Sequence, residues 1–310
     1  MTLPRFVTLA DAAGRLDWPS AVAALRAGHT LPRAQIRDTF LGPPDATMMT
    51  RSAWIEGLGY GAKPFTVFDA NAARGLPTVQ GAMLLFDGDD GHLRAVVENR
   101  LITDCKTAAD SVLGATLLAR PDSRHLLIVG AGAVAASLAR AYAAVMPQIG
   151  HITVWARRED QAQALVGRLA DLDAVLHVAT DLERAVGMAD IVATTTMARE
   201  PVLRGDWVRA GTHVDLIGAY KADMREADDA LMACAALFVD SRETTAHIGE
   251  IIMPLQSGAI AEDDILEDLY QLVRNDARRR ASSEEITVFK NGGGAHLDLM
   301  IADYIVRATG

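Results

Sequence analysis

From residue 125 the chain reads HLLIVGAGAVAASLARAYAAV: an apolar run, a glycine-rich turn and an alanine-rich run of helical period. Nothing else in the sequence restricts the fold as strongly. Residues 130–135, GAGAVA, fit the pattern Gly-x-Gly-x-x-Ala. In that pattern Gly130 permits a tight turn, Gly132 lets a pyrophosphate approach the backbone, and Ala135 lets the helix lie close to the strand. The helix start at Ala133 and Val134 then offers free N–H groups and a partial positive charge to the phosphates. Alone, such a string marks only a glycine-containing turn. Its weight here comes from context, because it follows a buried strand and opens a helix.

The alternation continues beyond this unit. HITVWA, AVLHVAT, DIVATTT, THVDLIGA and ALFVDS read as further strands, with EDQAQALVGRLA and DLERAVGMA as helices among them. This order predicts an α/β fold built on a doubly wound parallel sheet. Ligands of such sheets bind at the carboxyl edge, which makes Thr194, Thr195, Thr196 and Gly218 candidate cofactor contacts. An NAD-binding unit would carry an acid at the end of its second strand, for the ribose 2′-hydroxyl. This chain offers Ala156, Arg157 and Arg158 there. A carboxylate would repel a 2′-phosphate, whereas a guanidinium binds it bidentately and stacks on adenine. One such contact is worth about 1.5–3 kcal/mol, so the residues favour NADPH while leaving NADH possible. The plainer alternative is a solvated strand end, with one arginine paired to Glu159.

With 310 residues, half of them apolar, the chain can bury one large or two medium cores. A formal net charge of −10 argues against a nucleic-acid partner. Two cysteines make no disulfide framework and suit a reducing compartment. No CxxC or HExxH spacing occurs, so no metal centre is expected. The first twenty residues lack a leader pattern, and no run of about 18 apolar residues exists, so the expectation is a cytoplasmic protein without a membrane span.

Residues 1–100 have a different texture, short strand-like runs separated by turns. GAMLLFDGDDGHLRAVVEN reads as a hairpin. TDCKTAADSVLGATLLA, residues 103–119, reads as a helix capped by Thr103 or Asp104. The tail ITVFKNGGGAHLDLMIADYIVRA reads as a strand, a glycine turn and an amphipathic helix. The expected division is residues 1–118, with helix 295–310 returning to them, and a dinucleotide-binding domain over 119–294.

Several segments, in order and over nearly the whole chain, carry a family resemblance: GAKPFTVFDANAARGLPTVQGAMLLFD (61–87), ITDCKTAADSVLGATLLARPDSRHLLIVGAG (102–132), ADIVATTTMAREPVLRGDWVRAGTHVDLIGA (189–219), ALFVDS (236–241) and ITVFKNGGGAHLDL (286–299). The chain resembles the ornithine cyclodeaminase/mu-crystallin family. The resemblance implies a Rossmann domain holding NAD(P), an N-terminal α/β domain that binds substrate and pairs two protomers into a homodimer, and an imino- or amino-acid substrate. Family activities include ornithine cyclisation with loss of ammonia, alanine dehydrogenation, ketimine reduction and opine-type synthesis.

The site residues can be read beside that resemblance. Lys63 is the sole charge in GYGAKPF. Such a lysine either snorkels to the surface or, if buried, has a lowered pKa and can shuttle protons. The resemblance implies the buried case, with a catalytic or substrate-orienting role. Lys106, in CKTAADS, is placed by this reading at a helix start, where a cation opposes the dipole and suggests an anion nearby. The family usually has arginine there, gripping the substrate carboxylate; lysine keeps the charge without the fork. Arg33 and Thr78 match further family positions at the carboxylate end of the substrate.

Tyr220, in LIGAYKADMREAD, departs from the cyclodeaminases, where an aspartate serves the departing amine. A phenol of pKa about 10 cannot act as that base at neutral pH. The pattern looks instead like the subgroup that reduces cyclic ketimines, with Tyr220 lining the substrate pocket. Asn291 and Gly293, in FKNGGGAHLD, fall where the family closes over the nicotinamide; the family commonly has Ser-Val-Gly there. His296 and Asp298 start the following helix and are weaker acid/base candidates. The expected function is NADPH-dependent reduction of Δ1-pyrroline-2-carboxylate or Δ1-piperideine-2-carboxylate to L-proline or L-pipecolate. The alternatives are ornithine cyclodeaminase, an alanine-type dehydrogenase, or an NADPH-binding protein without turnover.

Overall fold

The computed structural model describes residues 3–43 and 45–310. The chain forms two compact units. One runs to Lys106 and resumes at Gly294–Gly310; the other is Thr107–Gly293.

The first unit is built on six strands: β1 (Arg5–Val7), β2 (Gln35–Leu41), β3 (Ala46–Ile55), β4 (Gly59–Phe68), β5 (Val79–Phe86) and β6 (Leu93–Glu98), in the spatial order β1-β6-β5-β4-β3-β2. β1 runs parallel to β6, and the other pairs are antiparallel. The β5–β6 hairpin is closed by the Asp87 N–H, which donates to the His92 carbonyl at 2.9 Å. Side chains alternate between the two faces of a strand, so burial along β4 has a period of two. Gly59, Gly61 and Lys63 are buried, whereas Tyr60 is exposed. The buried face is covered by the helix Ala295–Thr309, which packs on β3, β4 and β5 and against the helix Trp18–Gly28. The outer face leaves Leu41, Met48, Tyr60 and Phe68 exposed, with Leu41 paired to Met48 across β2 and β3.

The second unit has eight parallel strands: β7 (His125–Val129), β8 (His151–Trp155), β9 (Val175–Val178), β10 (Ile191–Thr194), β11 (His213–Leu216), β12 (Ala236–Val239), β13 (Ile265–Asp268) and β14 (Thr287–Lys290). Their order is β13-β12-β14-β11-β10-β7-β8-β9. The inner strands β10, β11 and β14 are buried along their whole length, as expected where helices cover both faces of a parallel sheet. Leu127, Val129, Val192, Val214, Leu216 and Val288 supply much of the core on one face. β7 lies between β8 and β10, so the chain order reverses at the glycine turn. This is the doubly wound α/β sheet that the sequence predicts.

Two local expectations are corrected. The helix expected over 103–119 spans Asn99–Leu118, because its apolar stripe begins at the buried Leu101 and Ile102 and continues through Cys105, Ala108, Ala109 and Val112. Lys106 therefore lies in its second turn, beyond the reach of the dipole argument. β13 was not foreseen: its four residues end in Glu267 and Asp268, which hide a strand at the sheet edge. Among the described residues no helix is long and apolar enough to cross a membrane.

Candidate active site

In the first unit, the inward alternation of β4 carries Lys63 beneath the first turn of the helix Ala295–Thr309. Its Nζ donates a hydrogen bond to Asp298 Oδ1 at 2.8 Å. Lys106 Nζ lies 3.1 Å from the same oxygen. All three are buried: Lys63 is 4% exposed, Lys106 6% and Asp298 0%. Asp298 Oδ2 is buried with no hydrogen-bond partner among the described residues. Arg51 faces Lys63 in the β3–β4 register and pairs with Asp38 at 3.1 Å. Two buried ammonium groups thus share a single carboxylate. Buried excess charge is costly unless an opposite charge completes it, so an anion beside the pair would be stabilised.

Burial pushes the Lys63 ammonium down to about 8, against the opposing pull of Asp298. Burial alone would raise Asp298, but Lys106, Lys63 and Arg51 hold it well below the usual carboxylate range. Asp298 therefore stays ionised at neutral pH, and Lys63 is the member that titrates near it. His296 is buried, and burial, followed by His29 and Lys106, pushes its imidazole far down. It packs edge-on to His29, with ring centroids 5.7 Å apart. Arg33 stands exposed ahead of β2, and Thr78 is half-buried ahead of β5, its carbonyl accepting from the Phe68 N–H at 2.9 Å.

In the second unit, Gly130 has φ +123°, and a Cβ there would lie 2.4 Å from Thr195 Oγ1. Only glycine fits. Its N–H donates to the Trp155 carbonyl at 2.8 Å, tying the turn after β7 to the end of β8. Gly132 caps the helix Ala133–Val145 without any side-chain hydrogen bond, and a Cβ on it would meet nothing within 4 Å. Open space over unclaimed N–H groups suits a pyrophosphate, while Ala135 is fully buried against the sheet. These residues fit a dinucleotide. Ala156 is half-buried, and Arg157 and Arg158 are exposed. Glu159 accepts from Gln163 Nε2 at 2.8 Å, and among the described residues no ion pair forms at either arginine.

The other predicted cofactor contacts lie along the carboxyl edge. Thr194 is fully buried in β10, and the Thr195 N–H donates to the Val129 carbonyl at 2.8 Å. Gly218 follows β11, and Tyr220 is 49% exposed with Lys221 Nζ 5.4 Å from its ring centre. Asn291 is buried, and its amide donates to Ser111 Oγ at 2.9 Å and to the Thr107 carbonyl at 3.1 Å. The N–H groups of Gly292 and Gly293 donate to Asp240 Oδ2 at 2.8 and 2.6 Å.

Sequence reasoning missed a buried polar network beneath this edge. Lys290 Nζ donates to the carbonyls of Leu216, Ala219 and Asn291 at 3.0, 2.8 and 2.9 Å. Around it lie Glu250, Glu226, Asp240 and Asp215, which oppose the downward push of burial on its ammonium. Burial raises the acids Asp215 and Glu250 to about 7 and Asp240 to about 6. A lone lysine in the apolar run ITVFK was the one available signal. A groove of about 820 Å³, lined by His125, His151, His177 and Arg184, lies toward the amino ends of β7 and β8, away from the glycine turn.

Residues 46–309 match the model of the ornithine cyclodeaminase/mu-crystallin family. The Δ1-pyrroline-2-carboxylate reductase of Paracoccus denitrificans is 71% identical over 305 residues, covering 98% of this chain and 96% of its own. The ketimine reductase mu-crystallin of Mus musculus is 34% identical over 78% of this chain and 74% of its own. The structure of the Thermococcus litoralis Δ1-pyrroline-2-carboxylate reductase in complex with NADH and L-proline superimposes with a TM-score of 0.91 at 26% identity, covering 98% of this chain and 97% of that one. With a glycine turn of dinucleotide geometry, a buried lysine pair and a family match over most of its length, the chain belongs to the ornithine cyclodeaminase/mu-crystallin family.

Proposed function

We propose that this NAD(P)-dependent oxidoreductase reduces the C=N bond of a cyclic ketimine carboxylate, Δ1-pyrroline-2-carboxylate or Δ1-piperideine-2-carboxylate, giving L-proline or L-pipecolate. The observation that carries the reading is the shared oxygen of Asp298, with Lys63 at 2.8 Å and Lys106 at 3.1 Å. Its uncompensated positive charge suits a substrate carboxylate, and its titratable member suits a proton donor.

In this reading Lys106 holds the carboxylate, assisted by Arg33 and Thr78. Lys63, protonated at neutral pH, delivers a proton to the imine nitrogen. An iminium accepts hydride far better than an imine, so the proton lowers the barrier at the adjacent carbon. When bound, the reduced coenzyme supplies the hydride that reaches that carbon. Asp298 keeps the lysine pair oriented and partly neutralised. Tyr220 is a phenol and provides no carboxylate for amine departure, which disfavours cyclisation with ammonia loss.

Gly130, Gly132, Ala133 and Val134 would hold the pyrophosphate, with Thr194, Thr195, Gly218, Asn291 and Gly293 toward the nicotinamide. Ala156, Arg157 and Arg158 would receive the adenosine end, and the exposed guanidinium pair supports a preference for NADPH, with NADH also used. The exposed apolar face of Leu41, Met48, Tyr60 and Phe68 supports a homodimer paired through the first unit. Cys105 and Cys234 are free thiols, in keeping with a cytoplasmic setting.

The test is a coenzyme-absorbance panel with both cyclic imines, pyruvate plus ammonia, and ornithine. Rapid coenzyme oxidation with a cyclic imine supports the reading. Ammonia release from ornithine without net coenzyme change, or no turnover with either imine, rejects it.

A further inference from the structure

Two adjacent turns at the carboxyl edge of the second sheet are joined by one buried carboxylate. Glu226 is 0% exposed. Its Oε1 accepts from the Thr196 N–H at 2.6 Å and from Thr196 Oγ1 at 2.7 Å. Its Oε2 accepts from the N–H groups of Gly218 at 2.6 Å and Ala219 at 3.3 Å. One oxygen therefore serves the turn after β10, and the other the turn after β11. The turns also touch directly, since a Cβ on Gly218 would fall 1.9 Å from the Thr196 carbonyl oxygen.

Glu226 is itself held from below. Its own N–H donates to Glu250 Oε2 at 2.7 Å, and that of Ala227 donates to Glu250 Oε1 at 2.9 Å. The far side of the second turn is fixed by Lys290, which takes the Leu216 and Ala219 carbonyls. The turn after β11 is thus held at its N–H groups by an accepting carboxylate and at the Ala219 carbonyl by the donating Lys290 Nζ.

The placement matters because of the strand order. The glycine turn follows β7, and the arginines follow β8 on one side of it. A dinucleotide lying along the carboxyl edge with its adenosine toward β8 carries its other half toward β10 and β11. We infer that Glu226 is a positioning residue for the nicotinamide half of the coenzyme: it sets the two turns on which that half rests while touching neither coenzyme nor substrate. The inference rests on the dinucleotide reading given above.

Glu226→Gln tests it. The amide replaces one acceptor oxygen with a donor, which faces the N–H groups of one turn and pushes it away. The readouts are the dissociation constants of NADPH and NADH by fluorescence, that of ADP-ribose by competition, and the thermal midpoint. ADP-ribose retains the adenosine and pyrophosphate and lacks nicotinamide. The inference predicts that binding of both reduced coenzymes weakens about tenfold in the variant, while ADP-ribose changes less than about twofold. An equal loss for all three ligands, or no loss for any, overturns it. Glu226→Asp retains the charge but is one methylene short of bridging both turns; it carries the same comparison should the glutamine variant not fold. Failure of the wild-type protein to bind any of the ligands would instead reject the dinucleotide reading itself.

Discussion

Lys63 Nζ and Asp298 Oδ1 lie 2.8 Å apart although 235 residues separate them in the chain. The strand supplies an ammonium, the last helix supplies the carboxylate that accepts from it, and Lys106 shares that carboxylate at 3.1 Å. Replacing Lys63 by methionine keeps the stem and removes the ammonium. Positioned proton donors contribute about 10²- to 10⁴-fold, so kcat for imine reduction is expected to fall at least about 100-fold. Coenzyme dissociation constants, measured by fluorescence, should stay unchanged. Unaltered kcat would remove Lys63 from the mechanism.

The pH profile follows from the same pair. Burial lowers Lys63 to about 8, so its proton is present below that pH and lost above it. Reduction is expected to decline by about tenfold per pH unit above that value, and oxidation of the amino acid, which needs the free amine, to rise through it. Asp298 pulls the Lys63 pKa upward, so Asp298→Asn should shift the falling limb toward acid. A limb that stays in place in that variant would assign the titration to another group.

The coenzyme preference is expected to reside in Arg157 and Arg158. Changing both to alanine should weaken NADPH about 10- to 100-fold while leaving NADH within about twofold. Both are exposed, so the thermal midpoint should scarcely move. Equal losses for the two coenzymes would place the discrimination elsewhere.

The outer face of the first sheet is expected to be covered by a second copy. Leu41 is 67% exposed and pairs with Met48, itself 41% exposed. Leu41→Glu with Met48→Glu puts two charges on that face and should convert dimers to monomers in sedimentation analysis. A wild type that sediments as a monomer, or a double variant that remains dimeric, would contradict this assignment.

The dinucleotide unit was legible because its signals are local: an apolar strand, two glycines and a helix within twenty residues. Lys63 was legible as a lone charge in an apolar strand, and the β4 alternation turns it inward. The partnership with Asp298 was not: the return of the last helix was expected, but which of its residues meets Lys63 is set by tertiary packing that no local pattern encodes. Lys106 was singled out through a helix start that lies elsewhere; what the structure shows beside it is the shared Asp298 carboxylate. Glu226, Glu250 and Lys290 escaped for a related reason: charged residues read as solvated until the fold buries them together.

The most direct measurement is the fate of the transferred hydrogen. Coenzyme deuterated at both nicotinamide C4 positions is incubated with the protein and Δ1-pyrroline-2-carboxylate, and the product is read by NMR and mass spectrometry. The expected product is L-proline carrying one deuterium on its α-carbon, with one coenzyme oxidised per product and no ammonia. An α-carbon without deuterium, or proline formed only from ornithine with ammonia released and the coenzyme unchanged, would contradict it.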